Sequence, residues 1–308
     1  IRDRDVTGVQ TCALPIYNIK RRAKVILSKK DLFIMKFTKM HGLGNDFIVL
    51  ENLKEDLTLT KEQITFLCDR KFGIGADGLI IINPSQTHHI KMSFYNSDGT
   101  EVEMCGNGIR CFAKYVYDNN IVRENPLYVE TLAGLKITYL EIKEDEVMKV
   151  QVNMGAPIFE CSKIPIHLDQ ENALNERLSY NGQEISYAAL SMGNPHVVIF
   201  VEDVQNYPIK EIGVFFENHP LFISKTNVNF VEIIDHDHIK VITWERGAGL
   251  TMACGTGACA SATVGVLRGF INQEIRATLP GGDLHIKVKD DIYMTGEAIK
   301  VFDGEITL

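Results

Sequence analysis

The chain is 308 residues long, 45% hydrophobic and 23% charged, with a formal net charge of −8, an ordinary globular composition with enough length for two cores. The charge is uneven: residues 1–34 carry eight Lys/Arg against three Asp/Glu, a balance of +5, which leaves 24 basic against 37 acidic residues, −13, in the remainder. An acidic body argues against nucleic acid and anionic membranes as partners, and no apolar run approaches the roughly 18–20 residues that span a bilayer.

The first 34 residues do not pattern like the rest of the chain. Ile1–Ile16 has no helix or strand period, and Ile19–Leu27 is basic and partly apolar. Asp3, Asp5, Asp31 and the lone Ser28 fit a transit peptide poorly. The stretch Arg4–Ile16 resembles translated sequencing-adapter read-through. We read residues 1–34 as a non-native or disordered tail and Met35 as the native start.

From Met35 the predicted elements alternate. Phe47–Leu50 reads as a strand. Thr60–Arg70 reads as a helix: Thr60 can cap it, Gln63 completes a capping box, and Ile64, Leu67 and Cys68 make one face. Strands follow at Leu79–Ile82 and Met92–Tyr95, then a helix over Gly106–Tyr117 with Ile109, Phe112, Ala113 and Val116 as its apolar stripe. Leu127–Glu130, Leu135–Glu141, Val147–Asn153, Tyr187–Leu190, Val197–Val201, Asn229–Ile234 and Ile239–Trp244 are strands. Gly255–Arg268, rich in Ala and Gly, is a buried helix, and Leu284–Val288, Tyr293–Ala298 and Lys300–Ile306 end the chain. Many short strands with one long helix per half predict an α+β unit used twice.

The duplication is visible in the residues. Met104-Cys105-Gly106-Asn107-Gly108 recurs as Ala253-Cys254-Gly255-Thr256-Gly257, and Gly44-Asn45-Asp46-Phe47 recurs as Gly193-Asn194-Pro195-His196; both offsets are 149 residues. Each cysteine precedes Gly-x-Gly and a helix, which sets the thiol at a helix N-terminus. Free N–H groups there favour a thiolate and can hold a substrate carboxylate. One cysteine in such a place is as often a buried structural thiol; two in duplicated contexts point to function. Two opposed thiols suit racemisation or epimerisation: one thiolate removes a proton from carbon, and the other thiol returns one to the opposite face.

Seven cysteines (Cys12, Cys68, Cys105, Cys111, Cys161, Cys254, Cys259), with no Cys-x-x-Cys among them, predict reduced thiols and a cytoplasmic location. Asn45 and Asn194 can donate to and accept from an amino-acid head group, although Asn after Gly also serves turns. Glu245 and Arg246 offer an ammonium and a carboxylate partner shortly before the second motif. Gly73-Ile74-Gly75-Ala76-Asp77-Gly78 matches a dinucleotide fingerprint, but a helix precedes it and a strand follows, so it is rejected. His236-Asp237-His238 lacks further ligands and reads as a turn. The metal expectation is none, and the cofactor expectation is none.

Dense matches carry a resemblance over Met35–Leu308: Lys39–Phe47, Asn96-Ser97-Asp98-Gly99, Cys105–Cys111, Ser191–His196, Glu245–Gly249, Ala253–Ala258 and Leu279-Pro280-Gly281-Gly282. The chain resembles the diaminopimelate epimerases, pyridoxal-phosphate-independent enzymes of lysine and peptidoglycan synthesis. The resemblance implies interconversion of LL- and meso-2,6-diaminopimelate with Cys105 and Cys254 as the two bases. It implies substrate binding by Asn45, Asn96, Asn194, Asn227, Glu245 and Arg246 and by the backbone of Gly106, Asn107, Gly255 and Thr256, with His196 and Glu245 poising the thiols. It implies two pseudo-symmetric halves, 35–149 with 297–308 and 150–296, each a strand barrel around a central helix with the site in the cleft between them. A small-molecule substrate is the partner, and the resemblance admits a homodimer. Some members carry Gln where this chain has Gly78, so no contact is carried to that position. Other readings are a proline racemase relative, a thiol redox protein using the same cysteines, and a non-catalytic amino-acid binding module.

Overall fold

The computed structural model describes residues 34–308, and Lys36–Glu305 form one compact unit. The expectation for the basic tail therefore falls almost wholly outside the described residues. The first half of the chain runs β1 (Ile34–Gly42), β2 (Asn45–Glu51), α1 (Lys61–Cys68), β3 (Gly78–Asn83), β4 (Ile90–Asn96), β5 (Glu101–Val102), α2 (Gly106–Asp118), β6 (Leu127–Thr131), β7 (Gly134–Lys143) and β8 (Glu146–Gly155). The second runs β9 (Ala173–Tyr180), β10 (Gln183–Ser191), β11 (Pro195–Val201), α3 (Ile209–Asn218), β12 (Asn227–Asp235), β13 (His238–Glu245), β14 (Gly249–Leu250), α4 (Gly255–Leu267), β15 (Glu274–Leu279), β16 (Gly282–Val288), β17 (Ile292–Gly296) and β18 (Ile299–Thr307).

One pairing pattern occurs twice. β1 is antiparallel to β2, β2 parallel to β3, β3 antiparallel to β4, β4 parallel to β6, and β6, β7 and β8 form an antiparallel meander. β10 to β13 and then β15, β16 and β17 repeat those directions in the same order. The register repeats as well: Phe47 faces Gly78 as His196 faces Asn227, and Ile80 faces Phe94 as Asn229 faces Thr243. β8 and β17 pair with each other, and β18 returns to β1, where Thr38 Oγ1 donates to Asp303 at 2.6 Å. The fold is α+β.

Each long helix packs inside its own strands. α2 touches β2, β3, β4, β7 and β8, and α4 touches β10 to β13 and β15 to β17. The predicted stripe of α2, Ile109, Phe112, Ala113 and Val116, is fully buried. α4 has no polar face, as befits a helix enclosed all round. Its hydroxyls are satisfied within the helix, Ser261 donating to the Gly257 carbonyl at 2.7 Å and Thr263 to that of Cys259 at 2.8 Å.

The Thr60–Gln63 capping box forms as expected, but α1 stops at Cys68, two residues short of Arg70. β1, β9, β15 and α3 lie outside the predicted elements. α3 was legible: Pro208 precedes it, and Ile209, Ile212, Gly213 and Phe216 are buried at helical spacing. Gly213 is needed there because a Cβ would lie 2.6 Å from the Trp244 ring.

Candidate active site

The two cysteines are the N-caps of α2 and α4. The Gly108 N–H points at Cys105 Sγ, 3.5 Å away, and Cys254 Sγ lies 3.5 Å from Thr256 Oγ1. Both helix starts press on one side chain of β17. A Cβ on Gly106 would lie 3.1 Å from Met294 Cε, and one on Gly255 would lie 2.9 Å from Met294 Sδ. Glycine at each first position is what lets the two N-termini meet there.

Asn107 joins the two motifs. Its Nδ2 donates to Asn45 Oδ1 at 3.1 Å and to the Ala253 carbonyl, beside Cys254, at 3.0 Å. Its Oδ1 accepts from Arg110 Nη2 at 3.0 Å. Asn45 Oδ1 is also 3.8 Å from Cys105 Sγ, while Asn45 Nδ2 donates to Asp77 at 2.7 Å. Arg70 holds Asp77 and grips Asp46 with both terminal guanidinium nitrogens. Burial alone would raise the Asp46 carboxyl, but Arg70 and Lys39 hold it well below the usual carboxylate range. A second junction backs the first: Gly281 N donates to the Met252 carbonyl at 2.8 Å, and a Cβ on Gly281 would lie 1.9 Å from the Leu43 carbonyl oxygen. The Leu279–Gly282 turn thus wedges the loop before Asn45 against the loop before Cys254.

Arg110 is fully buried. It donates to the carbonyls of Gly106 and Glu297 and to Asn107, and its Nη1 lies 3.7 Å from Met294 Sδ. Burial lowers its pKa, opposed by the thiols around it. The positive charge sits behind the helix starts, where an anion in the site would feel it with little screening.

The thiols are less acidic than helix N-termini alone suggest. Burial pushes Cys105 up, against the N–H groups of Gly108 and Asn107. Burial pushes Cys254 further, helped by the negative charge of Glu245. The helix starts favour a thiolate, and desolvation opposes it at both cysteines. Burial likewise raises the Glu245 carboxyl, which accepts from Thr251 Oγ1 at 2.5 Å.

On the second half, His196 Nε2 is 3.0 Å from Asn194 Oδ1 and its Nδ1 is 3.1 Å from Asn229 Nδ2. Burial and then the charge of Arg246 push its pKa down to about 3, so the ring is neutral. The Arg246 guanidinium donates to the Ser224 carbonyl at 2.8 Å. Asn227 is buried, with Nδ2 on the Pro195 carbonyl and Oδ1 on the Arg246 N–H.

Residues 37–160 and 188–301 match the family model for diaminopimelate epimerase. The chain belongs to the diaminopimelate epimerase family. It is 45% identical over 277 residues to the diaminopimelate epimerase of Methanococcus maripaludis, covering 89% of this chain and 100% of that relative. It is 46% identical to the diaminopimelate epimerase of Acetivibrio thermocellus, covering 89% and 99%. Among solved structures it resembles a hydroxyproline epimerase from Agrobacterium vitis, with a TM-score of 0.67 and 13% identity over 89% of this chain and 93% of that one. It also resembles a PhzF-family phenazine biosynthesis protein from Bacillus anthracis, with a TM-score of 0.65 and 16% identity over 89% and 99%. At such identities these structures speak for the fold alone.

In this diaminopimelate epimerase family chain, hydrogen bonds draw Cys105, Asn45 and Asn107 to the loop of Cys254. Asn194 and His196 form a separate pair, and His196 makes its hydrogen bonds to amides and to neither thiol. Asn96 lies across from Gly78, and its amide contact is Thr100, 3.5 Å away in the following turn, so its bonds tie it to that turn. Sequence reasoning assigned no role to Asp77, Arg110, Asn229, Thr243 or Met294. Arg110 lies inside the quoted Cys105–Cys111 motif, and Asn229 interrupts an apolar strand two residues after Asn227; both were available signals.

Proposed function

We propose that this chain interconverts LL- and meso-2,6-diaminopimelate without a cofactor, in lysine and peptidoglycan precursor synthesis in the cytoplasm, with no nucleic-acid or membrane partner. The observation that carries the reading is Asn107, which ties the Asn45–Cys105 cluster directly to the backbone beside Cys254 and so supports a single site served by both thiol motifs. The halves we assign are 35–149 with 297–308 and 150–296.

The α-carboxylate is held by the N–H groups of Gly106, Asn107, Gly255 and Thr256 at the two helix starts, with the Arg110 charge behind them. Asn45, Asn96, Asn194, Asn227, Glu245 and Arg246 bind and orient the substrate's polar groups. A thiol in so dry a place ionises only when a positive charge arrives with the substrate or a neighbouring base takes its proton. Glu245, beside Cys254 and itself raised by burial, is suited to exchange that proton. The thiolate then removes the α-proton, the developing charge spreads into the held carboxylate, and the opposite thiol donates its proton to the other face. The second thiol ends as thiolate, so the next turnover runs from the other side.

The test is incubation with LL-diaminopimelate in D₂O. Meso product carrying one α-deuterium is expected. Proline racemisation without diaminopimelate turnover, or disulfide exchange alone, would replace this reading with one of the alternatives.

A further inference from the structure

The duplication is broken at three buried positions. Offset by 149 residues, Phe47, Ile80 and Phe94 of the first half correspond to His196, Asn229 and Thr243 of the second. The first set belongs to one apolar core cluster. The second set is polar, almost fully buried, and hydrogen-bonded in series. Both sets lie behind the second glycine of a cysteine motif. A Cβ on Gly108 would lie 3.6 Å from Ile80 and Phe94, and one on Gly257 would lie 2.2 Å from Asn229 Oδ1 and 3.0 Å from Thr243 Oγ1.

The donor directions along the series are forced. Asn229 Nδ2 faces the Val197 carbonyl at 2.9 Å, and a carbonyl only accepts. Asn229 Oδ1 takes the Thr243 hydroxyl at 3.0 Å. The remaining hydrogen of Asn229 Nδ2 therefore goes to His196 Nδ1. The ring is neutral, so its one proton is on Nε2 and is donated to Asn194 Oδ1. That bond turns Oδ1 toward the ring and leaves the Asn194 Nδ2 on the other side to meet a ligand. Asn45 has no such ring beside it: Asp77 takes its Nδ2, and its Oδ1 accepts from Asn107 and faces Cys105.

We propose that Asn229 is a positioning residue which, through the tautomer of His196, turns the Asn194 amide so that its Nδ2 donates to the substrate. This rests on the proposed diaminopimelate site. The carboxylate of a zwitterionic head group can accept from that Nδ2.

The experiment has two arms. Nitrogen-15 NMR of the histidine-labelled wild type, with His196 assigned by its loss in His196→Phe, should show a neutral ring protonated at Nε2 at neutral pH. A ring protonated at Nδ1, or an imidazolium, would overturn the proposal, and this arm needs no variant at position 229. In the second arm, the carboxylate of Asn229→Asp should accept from Nδ1 and move the proton there, reversing the Asn194 amide. KM for diaminopimelate should rise about tenfold or more, with kcat within about threefold, as expected for losing one hydrogen bond to a charged group. An unchanged KM with the ring proton moved, or a ring that does not respond, would also overturn it. The ring spectrum does not depend on turnover. A chain with the Nε2-protonated ring and no diaminopimelate activity would refute the proposed function and leave the His196 relay standing, whereas an active chain with the other tautomer would do the reverse.

Discussion

Gly108 and Gly257 occupy the same place in the two cysteine motifs, yet an added methyl should be felt very differently. At Gly257 an alanine Cβ would lie 2.2 Å from Asn229 Oδ1 and 3.2 Å from Cys254 Sγ. Asn229 is fully buried and bonded at both ends of its amide, so it has nowhere to retreat without losing those bonds. Overpacking costs about 1–3 kcal/mol, and stranding a buried amide costs about 1–3 kcal/mol more. Replacing Gly by Ala in a helix returns about 1 kcal/mol. The net is a loss of roughly 1–5 kcal/mol, or a fall in melting temperature of several degrees at about 2–4 °C per kcal/mol. At Gly108 the nearest atom would be Cys105 Cβ at 3.3 Å, with Ile80 and Phe94 at 3.6 Å. These are near ordinary contacts, so Gly108→Ala should stay within about 1 kcal/mol of wild type once the helix gain is included. Thermal melts of the two variants, read beside epimerase assays, make the comparison. Equal melting temperatures, or a less stable Gly108→Ala, would refute the claim that the polar cluster behind Cys254 is tightly packed.

Cys105→Ala and Cys254→Ala should each abolish epimerisation, and a mixture of the two should stay inactive; near-wild-type turnover by either would end the two-base mechanism. Mild oxidation should join Cys105 to Cys254, with loss of two protons and two electrons, and activity should vanish and return with a dithiol; full activity in protein shown by peptide mapping to carry that bond would count against the site. Acid stability should carry the mark of His196. Its folded pKa is about 3 against an ordinary 6.5, so between these values only the unfolded chain binds the proton, and stability falls by about 1.4 kcal/mol for each pH unit lost in that window. His196→Phe should flatten the dependence of denaturation midpoints on pH between about 3 and 6.5, and an unchanged slope would show that the ring is not buried neutral.

Much of this molecule is legible in one dimension because local chemistry sets it. The cap Thr60, the stripe of α2 and the Cys-Gly-x-Gly starts of two helices depend on neighbours within a turn, and the 149-residue offset is arithmetic on the chain. β1, β9 and β15 were not legible, because a strand's hydrogen bonds lie with partners far away in sequence; β15, for instance, pairs β13 in parallel across the whole of α4. The state of the thiols also escaped the sequence. A helix N-terminus predicts a thiolate, but burial, which only the packed fold creates, works against the charge more strongly.

The sequence by itself determined that two like units exist and which cysteines and asparagines they share. Only the tertiary structure decided that the units differ. Phe47, Ile80 and Phe94 read as ordinary strand residues, as do Asn229 and Thr243, while His196 read as a support for the thiols. Their meaning appears when three strands lie side by side and their side chains are sealed from water. Three hydrocarbon groups then simply fill space, whereas three polar groups must satisfy one another, and that requirement fixes the direction of every proton between Thr243 and Asn194.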